Sequence, residues 1–302
     1  MLCDMNVTAR VAILGVTGFI GRGMPARFAD KNWAVTGISR SGRGNVAGVD
    51  SWQTPDALDF SGHDAVINLA GEPIAKRWTE ANKIRFHESR IGVTKRVVAA
   101  IASLPSAERP RVLVNTSAVG IYGNRGDEIL TEESTPGNGY LADLCREWEA
   151  AALEAEALGV RVIRLRVGIV LGRDGDAFKQ LLLVFKSGIG GKLGSGRQWM
   201  PWVHVDDLRE AISHSVLSAG LSGAVNGCAP AAERNADFTR KLASALRRPA
   251  IFPVPGFALK IALGGFGGAL LEGQHAKPTA LESDGFAFRF PTLESALADL
   301  IG

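Results

Sequence analysis

Three glycines at three-residue spacing, Gly15, Gly18 and Gly21, follow the apolar run Val11-Ala12-Ile13-Leu14. Glycine permits a tight turn and lets backbone N–H groups come close to an anionic ligand. A strand, such a turn and then a helix can hold the pyrophosphate of a dinucleotide, the helix N-terminus adding a favourable partial charge. The stretch therefore predicts a phosphate cradle in which Gly15, Thr17, Gly18, Phe19, Ile20 and Gly21 meet a cofactor. Its G-x-x-G-x-x-G spacing departs from G-x-G-x-x-G and also fits an empty strand-to-helix turn. The helix expected over 19–30 contains one conflict, Pro25, which removes a backbone donor.

The end of the second strand distinguishes the two nicotinamide cofactors. An acidic side chain there, ~20 residues past the glycines, accepts from the ribose 2′-hydroxyl, whereas a basic one neutralises a 2′-phosphate. Here the segment reads Gly37-Ile38-Ser39-Arg40-Ser41-Gly42-Arg43, and no Asp or Glu occurs between Asp30 and Asp50. Ser39 and Arg40 could both donate to a phosphate, and Arg40 could stack on adenine. NADP(H) is the expected cofactor. Further on, Asn68, Leu69, Ala70, Gly71 and Glu72 end another apolar strand, where ligands of open α/β sheets bind. Small residues there let the chain pass close to a cofactor, or simply let a helix pack closely on a strand.

The elements that must position these residues are legible as an alternation. Apolar, β-branched runs at 11–14, 35–38, 65–69, 112–115 and 160–165 are separated by helical patterns at 19–30, 80–103 and 140–158. Such alternation predicts an α/β fold, a Rossmann-type doubly wound parallel sheet covered on both faces. After Gly172 glycine-rich segments, aromatic clusters and prolines replace it. The expected division is a Rossmann domain over 1–172, to which 203–228 returns, and a smaller C-terminal α/β substrate domain over 173–202 and 229–302. A cleft between the two is the natural ligand site.

Composition excludes several alternatives. Of 302 residues, 46% are hydrophobic and 22% charged, a globular balance that argues against disorder. The formal charge of +3 is small, and no Lys/Arg block resembles a nucleic-acid surface. Cys3, Cys145 and Cys228 are too widely spaced for a zinc site and read as reduced thiols of a cytoplasmic protein. Met1–Met5 shows no signal pattern, the apolar stretch 256–271 is interrupted by Lys260, and no membrane association is expected. The five histidines have no metal spacing. His204-Val205-Asp206-Asp207 predicts an aspartate N-cap for a helix over 208–217. Lys192 and Arg197 read as solvated loop charges or as a hold on an anionic substrate. The expected partner is a small molecule, bound by a monomer or homodimer.

Taken together, Gly15–Gly21, Asn68–Gly71, Thr116–Gly123, Ser89-Arg90, Arg146-Glu147-Trp148-Glu149, Gly194-Ser195-Gly196-Arg197-Gln198 and Asp284-Gly285-Phe286-Ala287-Phe288 span nearly the whole chain. As a set they resemble the extended, atypical short-chain dehydrogenase/reductase superfamily, in its NAD-dependent epimerase/dehydratase-like branch. The resemblance implies NADP(H) in the cleft, with Arg90 reaching it from a long helix, and Ile169 and Val170 lining it.

Active members of that superfamily use a Ser or Thr, a Tyr, and a Lys four residues after the Tyr. The phenol transfers a proton as hydride moves, and the ammonium lowers its pKa. The resemblance places Ser117, with Thr116 as an alternative, at the serine position and Tyr140 at the tyrosine. Tyr122 is a rival donor. The residue four past Tyr140 is Leu144. A tyrosine with pKa near ~10 is about 0.1% phenolate at pH 7, so as a base it lacks ~4 kcal/mol of readiness. As a proton donor it needs no ionisation. The implied function is NADP(H)-dependent hydride exchange at a carbonyl or hydroxyl carbon. The alternatives are a non-catalytic NADP(H) sensor with an eroded site, or a nucleotide-sugar epimerase or dehydratase.

Overall fold

The computed structural model describes residues 9–302; Cys3 and the segment 1–5 lie outside them. Seven strands form one parallel sheet: β1 (Arg10–Leu14), β2 (Ala34–Ile38), β3 (Ser51–Gln53), β4 (Ala65–Asn68), β5 (Val112–Ala118), β6 (Arg161–Val167) and β7 (Gly223–Gly227). Their spatial order is β3-β2-β1-β4-β5-β6-β7. The order reverses at β1, so the crevice between β1 and β4 is the topological switch point at which such sheets bind ligands.

Alternate strand residues enter two separate cores, as the two-residue period of a strand requires. Val11, Ile13, Val35, Ile67, Val114 and Ile163 pack on one face with Leu208, Ile212 and Val216 of the Val205–Leu217 helix. Ala12, Leu14, Val66, Leu113 and Val162 pack on the other with Val97, Val98 and Ile101 of the Val93–Ala102 helix. A third cluster, including Phe178, Trp202, Phe238, Leu242, Leu293 and Leu297, organises the later part of the chain. The tail also returns to the sheet, for Leu281 is buried in the first core and Phe286 and Phe288 lie against it.

Three local expectations are corrected. No continuous helix spans 19–30: a 3-10 turn at Gly21–Gly23 is followed by the single helical turn Ala26–Ala29. Pro25 has no N–H to give the Gly21 carbonyl, which accepts instead from Met24 at 2.9 Å. The Glu80–His87 and Val93–Ala102 helices are joined by a π-helical turn, Glu88–Gly92, where one unbroken helix was expected. The cap of the Val205–Leu217 helix is His204, whose Nδ1 accepts from the Asp206 N–H at 3.1 Å. Asp207 accepts instead from the Arg289 and Phe290 N–H groups, tying the tail to this helix. Among the described residues no helix is long and apolar enough to cross a membrane.

Candidate functional site

The glycine turn lies at the switch point. Gly15 has φ +76°, a conformation costly for any residue with a Cβ, and its added Cβ would sit 3.0 Å from the Leu69 carbonyl oxygen. A Cβ on Gly21 would meet the Gly15 oxygen at 2.2 Å. The turn is thus compact enough to press its backbone on itself and on the end of β4. Arg209 holds it from behind, donating to the Phe19 and Ile20 carbonyls at 2.8 and 3.0 Å. Thr17 and Gly18 are exposed on the outer side, and Phe19 and Ile20 are half-buried, with the Phe19 ring against Gly172 and Gly175. Only a single helical turn follows, and the Gly15 and Gly18 N–H groups donate to the Ile38 and Gly15 carbonyls at 3.1 and 2.9 Å.

At the end of β2 the structure separates two residues expected to act together. Ser39 is buried, donating to the Arg43 carbonyl at 2.8 Å and accepting from the Arg43 N–H at 3.2 Å. Its hydroxyl therefore shapes the loop and is not held out to a phosphate. Arg40 and Arg43 are both exposed on that loop. A Cβ on Gly44 would touch Thr17 at 2.9 Å, so the basic loop runs alongside the glycine turn. Arg43 escaped the sequence reading, although it stands in the same short segment.

Asn68 is fully buried, donating to Thr94 and Asn115, while its carbonyl accepts from the Thr116 hydroxyl at 2.9 Å. Leu69 and Ala70 are half-buried and Gly71 is exposed. Glu72 is clamped through its backbone: its N–H donates to Ser89 and its carbonyl accepts from Arg90 at 2.9 Å. Arg90 sits in the π turn with its guanidinium 5.3 Å above the Trp148 ring. Burial pushes its pKa below the usual arginine range.

Tyr140 opens the Tyr140–Leu153 helix, which follows β5 and so begins at the carboxyl edge of the sheet. Its ring packs on Trp78 with centroids 4.9 Å apart. Its hydroxyl is buried and, among the described residues, has no hydrogen-bond partner. Burial raises its pKa, an effect opposed by Arg90 and Lys83. Leu144 faces an apolar cluster of Phe86, Ile91, Trp148 and Ala151.

Ser117 is corrected more sharply. Expected to present its proton to a substrate oxygen, it is 3% exposed and donates to Glu149 at 2.8 Å. Glu149 also receives Arg166 and Arg164. Arg166 donates to the Tyr122 hydroxyl, which in turn donates to Asn226, each at 2.8 Å. Tyr122 is thereby removed as a free donor, and burial pushes its pKa up to about 12. Parallel register sets Ser117 beside Arg166, and Arg166 beside Asn226, on β5, β6 and β7. Sequence reasoning missed this network; its signal was the arginines at 161, 164 and 166 in an otherwise apolar strand.

Ile169 and Val170 run on from β6 in a short strand, Ile169–Leu171, and are half-buried. Lys192 and Arg197 are exposed. Among the described residues no cluster of three His, Cys, Asp or Glu could hold a metal ion.

A seven-stranded parallel sheet with a glycine turn at its switch point defines a dinucleotide-fold protein of the short-chain dehydrogenase/reductase superfamily. The chain belongs to the NAD dependent epimerase/dehydratase family, whose profile matches residues 11–226. Residues 254–300 match a domain of unknown function, DUF1731. The chain is 40% identical to the Arabidopsis thaliana "Epimerase family protein SDR39U1 homolog, chloroplastic", over 98% of this chain and 88% of that one. With Bacillus subtilis "Epimerase family protein YfhF" the identity is 36%, covering 96% and 97%. The crystal structure of human epimerase family protein SDR39U1 with NADPH superposes with a TM-score of 0.87 at 32% identity, covering 97% of this chain and 99% of that one.

Proposed function

We propose that the protein is an NADP(H)-dependent oxidoreductase acting at a carbonyl or hydroxyl carbon of a small molecule, with Tyr140 as its proton donor. The observation that carries this reading is the Tyr140 hydroxyl, shielded from solvent yet without a partner among the described residues, at the sheet edge where a ligand oxygen would meet it. The residues suit the cofactor. The backbone of Gly15, Thr17, Gly18, Phe19, Ile20 and Gly21 would face the pyrophosphate, with a cradle that a Cβ would fill. Arg40, with Arg43 beside it, would meet a 2′-phosphate, and no carboxylate between Asp30 and Asp50 opposes one. Asn68 to Glu72, Ile169 and Val170 would flank the nicotinamide half, and Arg90 would approach it from the π turn.

When bound, the nicotinamide supplies or accepts a hydride. Tyr140 hands its proton to the substrate oxygen in the reducing direction, which a neutral phenol serves without prior ionisation. Ser117 does not donate to that oxygen; through Glu149 it fixes the helix that carries Tyr140. The NADPH in the human relative's structure supports the choice of cofactor. Reduced, buried Cys145 and Cys228 fit a cytoplasmic setting.

The test is a fluorescence titration with NADPH and NADH, repeated for Arg40→Glu. NADPH is expected to bind about tenfold tighter or more, ~1.4 kcal/mol, and the variant to lose that margin. Binding of neither nucleotide would sink the proposal. A second reading, a cofactor sensor without turnover, is favoured by the engaged Ser117 hydroxyl and by Leu144. NADPH binding with no consumption across a broad carbonyl panel would select it.

A further inference from the structure

Lys192, Arg240 and Arg248 line one recess of about 380 Å³ in the later part of the chain. Its floor is the Asn235–Leu246 helix, which contributes positions 236, 239, 240, 243 and 244, a single face at three- and four-residue spacing. Among the described residues no carboxylate lines it. The cations come from two segments, 177–205 and 238–271, that hold four and five Lys or Arg and no Asp or Glu. In a chain of 34 basic and 31 acidic residues, that segregation concentrates positive charge at one place. Arg240 is paired along its own helix with Asp237 at 3.0 Å. Among the described residues, Lys192 and Arg248 pair with no carboxylate, so like charges face one another across the recess without relief.

Ordinary structural duties do not account for these two side chains. The carbonyls of Ser244 and Ala243 at the end of the helix accept from the Arg247 and Arg248 N–H groups, each at 3.0 Å, so the Arg248 guanidinium is not needed as a cap. The glycine-rich loop is likewise held without the Lys192 ammonium. The Lys192 carbonyl accepts from the Val254 N–H at 2.9 Å, and the Leu193 N–H donates to Asn235 Oδ1 at 2.8 Å. A Cβ on Gly191 would collide with the Phe252 carbonyl, and one on Gly196 would lie 3.0 Å from Ala236 Cβ. The glycines thus press the loop onto the helix and the tail, and Lys192 extends from a fixed backbone. Arg197, exposed on the same loop, does not line the recess.

We infer that this recess is a second ligand site, for a small molecule that carries a phosphate group on an apolar body. Guanidinium and ammonium donors, with the hydroxyls of Thr239 and Ser244 in the same lining, suit an oxyanion with several acceptor oxygens. A phosphate monoester is close to doubly charged at pH 7 and answers unpaired cations better than a carboxylate does. Beside the charges, Ala243 and the 70% exposed Ile251 offer apolar surface that the body of such a ligand would cover. No residue of the glycine turn, of the β2 loop or of the surroundings of Tyr140 lines the recess, so the site stands apart from the redox reading.

Phenyl phosphate is the probe, titrated calorimetrically into the full-length protein at low salt. Saturable binding is expected, weakened by about tenfold or more in the double variant Lys192→Gln, Arg248→Gln. Arg240→Gln is expected to cost less, because Asp237 already occupies that arginine. Arg197→Gln, which removes a neighbouring charge outside the recess, should leave the affinity unchanged. So should Arg40→Glu, which guards against the probe binding in the cofactor crevice. Inorganic phosphate, without the apolar body, and benzoate, without the phosphate, are both expected to bind more weakly. Should the double variant not fold, Lys192→Gln and Arg248→Gln singly are each expected to show a partial loss. The absence of saturable binding by the wild type overturns the inference. So does an affinity that survives the loss of both cations, or one that falls equally in Arg197→Gln. Equal binding of inorganic phosphate or of benzoate overturns the ligand class. The titration uses no nucleotide, so failure to bind NADPH would sink the redox reading and leave this result to be judged by itself.

Discussion

Arg166 and Glu149 meet side-on between β6 and the Tyr140–Leu153 helix, Nε 2.9 Å from Oε1 and Nη2 3.0 Å from Oε2. Their side chains are 5% and 4% exposed. A bidentate pair so deeply placed gains strength from geometry but must offset the desolvation of two charges. Glu149 does so with further donors, Arg164 and Ser117. Arg166 does so with the Tyr122 hydroxyl and the Glu132 carbonyl.

Removing one partner is therefore expected to cost more than removing both. Arg166→Met leaves Glu149 buried with one arginine, and the expected loss is about 3–5 kcal/mol by urea denaturation. The double variant Arg166→Met, Glu149→Leu should recover a substantial part of that loss. If Arg166→Met alone costs less than ~1 kcal/mol, the pair is not a determinant of the fold.

The glycine turn allows a graded test. Gly21→Ala places a Cβ 2.2 Å from backbone oxygen, and Gly18→Ala one at 3.1 Å. At Gly71 the nearest atom is the Arg90 guanidinium carbon at 3.6 Å, an ordinary contact. Gly21→Ala is expected to cost about 1–3 kcal/mol through overpacking and to weaken NADPH binding. Gly71→Ala is expected to fold normally. Thermal denaturation and NADPH titration of the three variants check the ranking, and equal behaviour at 21 and 71 would remove the argument from close packing.

What the sequence showed of this architecture follows from where its signals lie. β1 and β4 were legible because their apolar residues are contiguous and sit on both faces of a central sheet. β5 and β6 extend beyond their expected ends because Thr116, Ser117 and Arg166 are polar, and only their partners on other elements reconcile them with a strand. The glycine turn was legible for the opposite reason, since its chemistry lies in its own backbone. The π turn was not legible, because its one-residue change of phase is a property of packing. Without it, the direction in which Arg90 points cannot be read from Ser89-Arg90 alone.

His204 sets a pH dependence of stability. Its Nδ1 accepts from the Asp206 N–H, which requires that nitrogen to be unprotonated, so Nε2 carries the proton and lies 3.3 Å from Asp299. Burial lowers its pKa below the ordinary value of 6.5, against the opposing pull of Asp206, Asp299 and Asp207. The folded state therefore prefers the neutral ring, and the unfolded chain binds the proton more readily. Stability from this group is full above about pH 6.5 and declines as pH falls toward the folded-state value. Urea midpoints at successive pH values from 8 to 5 should show this decline, and His204→Gln should flatten it. His63, also lowered by burial, acts with the same sign, so some slope should remain in the variant.

The two tyrosines are expected to respond oppositely to loss of their hydroxyl groups. Tyr122 donates to Asn226 and accepts from Arg166, so Tyr122→Phe strands the Asn226 Oδ1, leaves Arg166 Nη1 with the Glu132 carbonyl alone, and is expected to cost about 1–3 kcal/mol. The Tyr140 hydroxyl is buried with no partner among the described residues, so Tyr140→Phe removes only an unsatisfied group. Its fold should be as stable as the wild type or up to ~1 kcal/mol more so, and NADPH affinity should be retained. Natural proteins keep such a group where function outweighs stability. A Tyr140→Phe protein that is markedly less stable would mean that the phenol serves packing, and the proton-donor assignment would lose its structural basis. Equal or greater stability, with loss of NADPH consumption once a carbonyl substrate is found, would separate the two tyrosines as one chemical and one architectural.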